Sequence, residues 1–101
     1  MTDFVKLNPT DFSIDELTTA ARGESPSLAP QMAVTLLTAK LGGEARLQLT
    51  ALAHDPAVDL RARHAAVLAL GEFAEARDDL LRLAESPEPL IADAATQALG
   101  P

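Results

Sequence analysis

Two histidines, a run of four carboxylates and two neighbouring arginines are the residues of this chain whose types and spacing could do chemistry. His54 and His64 would make a metal site only if both imidazoles converged with Asp55 or Asp59, and no His-x-x-x-His spacing supports that. Glu72, Glu75, Asp78 and Asp79 resemble paired acids in composition. Acid–base work needs a pocket that drives their pKa values apart, whereas acids near a helix start are favoured by the helix dipole alone. Arg61 and Arg63, with His64, make a small basic spot. The formal charge is −7, so binding to a polyanion such as nucleic acid is not expected. Gly42-Gly43 lacks the Lys-Ser/Thr and the preceding strand of a phosphate loop. With no Cys there is neither a disulfide framework nor a thiolate metal site. The expectation is a protein that is not an enzyme and carries no metal or cofactor.

The elements that must position these residues are helices. Of 101 residues, 20 are Ala and 17 are Leu, against three aromatics, all Phe. Ala and Leu are strong helix formers, while sheets favour the β-branched and aromatic residues that are scarce here. Residues 1–11 read as an N-terminal arm, with Phe4 and Val5 available to pack on the domain that follows over 12–101. Ser13 and Glu16 form a capping box, and Phe12 with Leu17 a hydrophobic staple, so a first helix spans roughly 14–22 and ends at Arg22-Gly23. Pro30 belongs in the first turn of a second helix over about 28–41, which makes Ser27 its expected N-cap. A third helix fits 44–54. Asp55-Pro56 reads as N-cap and first-turn proline of a fourth helix reaching Leu70, with Gly71 as its stop. A fifth covers about 74–85, and Ser86-Pro87 repeats the cap-and-proline device for a sixth that ends at Leu99.

The chain repeats itself. Residues 44–56, EARLQLTALAHDP, match 75–87, EARDDLLRLAESP, at seven of thirteen positions with an offset of 31. Residues 65–71, AAVLALG, match 94–100, AATQALG, at five of seven with an offset of 29. Gly42, Gly71 and Gly100 carry the period upstream into a degenerate first copy, as a terminal repeat with one neighbour allows. The units are about 13–42, 44–71 and 74–100. Each is a helical hairpin that cannot bury its apolar stripe alone, so the fold class is all-α, a short α-solenoid of three stacked helical hairpins with about six helices. Leu49, Leu52 and Ala53 face Ala62, Ala65, Ala66, Ala69 and Leu70 in the second unit.

Arg63-His64-Ala65-Ala66-Val67-Leu68-Ala69-Leu70-Gly71 and Ala94-Ala95-Thr96-Gln97-Ala98-Leu99-Gly100, preceded by Asp-Pro and Ser-Pro, resemble HEAT-like repeats. The likeness is to the short type also found in phycobilin lyase subunits, and it covers 44–100 well and 13–43 weakly. Arg63 matches an arginine frequent in that motif, where the third unit has Ala92. The resemblance implies a scaffold whose second helices line an inner surface used by partners. It names no single function.

Between the core alanines the third unit has polar Asp93, Thr96 and Gln97, where the second has His64, Val67 and Leu68, with Leu60 a turn earlier. Leu60, Arg61, His64, Val67 and Leu68 are therefore expected to form a partner-binding or weak self-association patch, unless the arm covers them. Arg63 is expected to pair with Asp55, Asp59 or an acid of another repeat. The function expected is a non-enzymatic protein-interaction adaptor, its acidity favouring a basic or amphipathic segment. An accessory subunit of a modifying enzyme, as in a bilin-lyase-like complex, is the alternative. No run approaches a membrane span and no secretory leader is evident, which points to the cytoplasm. The excess of Arg over Lys and the high Ala content suggest a bacterial, GC-rich source.

Overall fold

The computed structural model of the chain describes residues 12–100, so the arm and its Phe4 and Val5 lie outside the described residues. Six α-helices follow one another: α1 (Ile14–Ala21), α2 (Pro30–Leu41), α3 (Ala45–His54), α4 (Leu60–Leu70), α5 (Arg77–Leu83) and α6 (Pro89–Leu99). Short 3-10 turns at Gly42–Glu44 and Ala74–Ala76 lead into α3 and α5, and no strand occurs among the described residues.

The start of α1 follows its sequence signature. Ser13 Oγ accepts from Glu16 N at 3.0 Å, and Ser13 N donates back to Glu16 Oε1 at 2.7 Å. Phe12 packs against the cluster of Leu17, Leu36 and Leu37, which completes the staple. Gly23 at φ +86° then turns the chain out of α1, a conformation that side chains with a Cβ resist.

Three other helix starts differ from the sequence expectation, two of them for a common reason. α2 is capped by Ala29 rather than Ser27, and α6 by Glu88 rather than Ser86, each the residue before a proline at the first helical position. The ring of that proline excludes the helical region for its predecessor, so the helix cannot begin earlier. Ser86 caps a turn instead, accepting from Glu88 N at 3.1 Å. Asp55 likewise accepts from Ala57 N at 2.9 Å, but it terminates α3, and Asp59 is the N-cap of α4 through Arg61 N at 3.2 Å. The three residues after Asp55 form a turn that sends Val58 into the core, 4% exposed.

α1 with α2, α3 with α4 and α5 with α6 form three antiparallel hairpins, stacked into a body of 47 × 25 × 22 Å. The second helices, α2, α4 and α6, pack directly on one another, whereas the first helices, α1, α3 and α5, barely approach their counterparts. Closer spacing in one layer bends the stack toward that layer, so α2, α4 and α6 lie on its inner side. Alanines permit the approach: Ala33, Ala62, Ala66 and Ala95 are fully buried in the shared core with Val67, Leu70 and Ile91. Gly71 belongs to this packing rather than to a left-handed stop. Its φ is −61°, and a Cβ there would lie 3.0 Å from the Cβ of Ala98 and 3.1 Å from its carbonyl oxygen.

Candidate functional site

The repeat register places equivalent residues of the three inner helices side by side. At an offset of 29, Met32, Arg61 and Leu90 form one row, Thr35, His64 and Asp93 a second, and Ala39, Leu68 and Gln97 a third. Met32 and Leu90 are each 41% exposed, with Arg61 exposed between them. A pocket of about 260 Å³ opens at the N-terminal ends of α2, α4 and α6, lined by Ala29, Pro30, Gln31, Arg61, His64, Ala65 and Leu90. Two shallower clefts share its lining. One of about 200 Å³ continues along α2 and α4 past Val34, Thr35, Leu68 and Ala69 to Glu72, and one of about 350 Å³ involves Met32. The result is a groove with a small-residue floor, charged at its ends and lined along its length by apolar side chains together with Gln31 and Thr35.

Of the five residues expected to form a patch, three, Arg61, His64 and Leu68, line this surface, and Leu60 lies outside its lining. Leu60 and Arg61 are exposed, and His64 and Leu68 are half-buried. Val67 is the correction: it is fully buried. A middle helix of a stack touches its hairpin mate and both neighbours, as α4 touches α3, α2 and α6. Its buried arc is therefore wider than the stripe that an amphipathic count assigns. The equivalent Thr96 is exposed, and no further hairpin follows it among the described residues. The reading of the patch from α4 alone also missed Pro30, Gln31, Met32 and Leu90. The signal that finds them is the 29-residue register, applied to exposed positions as well as to the core.

Arg63 does not make the expected ion pair. Its Nε donates to the carbonyl oxygen of Ala53 at 3.2 Å, holding the last turn of α3 against α4. Arg22, at the end of α1, pairs with Asp55 at 3.3 Å and so joins the first two hairpins. The Asp55 carboxyl is held below its ordinary range, first by the hydrogen bond from Ala57 and then by Arg22 and the charge of Arg63, against an opposing cost of partial burial.

The acidic run resolves into a counter-ion. Asp79 on α5 lies 3.4 Å from Arg82 of its own helix, 3.9 Å from His54 and 4.0 Å from Arg46 of α3. Glu72, Glu75 and Asp78 are exposed. Thr50 sits on the same stripe of α3, midway between Arg46 and His54, and its hydroxyl is buried without a partner among the described residues. Among the described residues no group of three or more His, Cys, Asp or Glu is arranged to hold a metal ion. Nor, among them, is any helix long and apolar enough to cross a membrane.

Compared with known proteins, the chain matches no family model, no curated protein and no solved structure.

Proposed function

We propose that this protein is a HEAT-like adaptor that binds a protein partner through the inner face of α2, α4 and α6, without catalysis of its own. The observation that carries the reading is the groove along that face. Exposed Met32 and Leu90 stand beside a floor of Val34, Ala65 and Ala69, a surface that costs solvation free energy unless something covers it. The clefts, at about 200 to 350 Å³, fall at or below the lower end of the roughly 300–1,000 Å³ of small-molecule sites. They suit single anchor side chains of a protein better than a bilin, which disfavours the lyase-subunit alternative. A cytoplasmic setting in a bacterial cell goes with this proposal.

The test is a photoreactive amino acid installed at position 90 on the inner face or at position 81 on the outer face, with irradiation in the native host. Leu90 and Leu81 are comparably exposed, at 41% and 45%, so exposure alone predicts equal labelling. The adaptor reading expects a discrete adduct from position 90 that is lost when Leu68→Asp is added. Equal, diffuse labelling from both positions would sink it.

A further inference from the structure

The chain as a whole is acidic, but its inner helices are not. α2, α4 and α6 carry three cations, Lys40, Arg61 and Arg63, against one carboxylate, Asp93. Every other Asp and Glu of the sequence lies outside these three helices. Arg63 is held by Ala53. Arg61 is exposed, lines the 260 Å³ pocket, and takes part in no ion pair within the described residues. It stands between the exposed apolar side chains of Met32 and Leu90 in the same row of the register. Asp59 spends its side chain on the backbone of α4, and neither it nor Glu88, the residue before α6, lines that pocket. Along the groove the sole acidic lining residue is Glu72, at the far end of α4.

From this segregation of charge we infer that the inner face selects an acidic amphipathic segment of a protein partner, one that sets a carboxylate against Arg61 and apolar side chains against Met32 and Leu90. The inference rests on the adaptor reading and names the chemistry of its partner. It runs against the basic ligand that the net charge favours, because a ligand meets the local surface and not the sum over the chain. Desolvation by Met32, Pro30 and Leu90 strengthens a carboxylate–guanidinium contact formed between them. A nucleic acid offers anions without the apolar side chains, and its charge extends beyond the groove to the exposed Glu88 and Asp93.

The experiment uses the full chain and two fluorescein-labelled synthetic helical peptides with the same Leu/Ala stripe, flanked throughout by Glu in one and by Lys in the other. Fluorescence anisotropy at about 50 mM salt should show the Glu peptide bound about threefold or more tightly, the gap closing near 0.5 M as screening sets in. Arg61→Glu should reverse the preference, and Arg77→Glu, a charge reversal on α5, should leave it. Equal or tighter binding of the Lys peptide, binding of neither, or no response to Arg61→Glu would overturn the inference. So would displacement of the Glu peptide by single-stranded DNA, or formation of a homodimer in sedimentation that blocks it. If Leu90→Ser weakens both peptides alike while Arg61→Glu changes neither, the charge inference fails and docking on this face survives.

Discussion

The outer layer, α1, α3 and α5, and the inner layer, α2, α4 and α6, stack the same hairpins by different physics. Outer helices stay apart, and the gaps are crossed by long polar side chains, Arg22 to Asp55 and then Arg46 and His54 to Asp79. Inner helices meet through Ala62, Ala66, Ala95, Val67 and Gly71, with no room for a longer group. Ion pairs at the surface contribute little each and are screened by salt, whereas buried apolar contacts lose free energy steeply when disturbed. Stability is therefore concentrated on the inner side, which is also the side that presents the groove. Burial of small residues there brings the helices together, and the larger side chains left on the rim are the ones a partner can reach.

Substitutions that probe the two layers should rank accordingly. Val67→Asp, which buries a charge between three helices, is expected to cost about 4 kcal/mol or more and to abolish the cooperative urea transition. A loss under about 2 kcal/mol would mean that the inner layer is not packed as described. Gly71→Val keeps an allowed backbone but forces α6 away at Ala98, and about 2 kcal/mol is expected in the same measurement. In the outer layer Asp79→Ala should cost only about 1 kcal/mol, because its partners lie 3.4 to 4.0 Å away and Arg82 is largely exposed. A larger loss would show that ion pairs, not alanines, hold the last hairpin. Thr50→Val removes a buried hydroxyl without a partner and keeps its shape, so a gain of up to about 1 kcal/mol, read as a rise in Tm, is expected.

The smallest effect concerns acid. The Asp55 carboxyl is held below its ordinary range in the folded chain, so its contribution is present above the unfolded value and lost as pH falls through the folded one. Asp55→Asn should leave a shallower fall in the urea midpoint below about pH 4 than the parent shows, with most of the difference gone by about pH 2. An identical acid limb would show that the Arg22–Asp55 link contributes nothing to joining the first two hairpins.

Much of the fold was legible because its signals are local. The Ser13–Glu16 box, the Phe12–Leu17 staple, Pro30 in a first turn and the end of α1 at Arg22-Gly23 depend on residues a few positions apart. The core residues Leu49, Leu52, Ala53, Ala62 and Leu70 follow from helical spacing repeated at a fixed period. The candidate site was only partly legible. Arg61, His64 and Leu68 line the inner-face groove and Leu60 does not, and the pocket is completed by Ala29, Pro30, Gln31 and Leu90 from the hairpins on either side. Asp55 and Ser86 make the side-chain hydrogen bonds that their types imply, yet these hold turns before the helices and not the helices themselves. In α6 a second proline, Pro89, moves the start two residues on.

The sequence by itself determined the helical class, the hairpin period and the small residues on which the hairpins meet, since each is a matter of propensity and spacing along one chain. Tertiary structure decided that Val67 is core, that Arg22 and not Arg63 holds Asp55, and that Arg61 stands open between Met32 and Leu90. Those outcomes depend on how closely neighbouring hairpins approach and at what rotation. That approach is the summed result of many weak contacts across the stack, and no single stretch of residues encodes it.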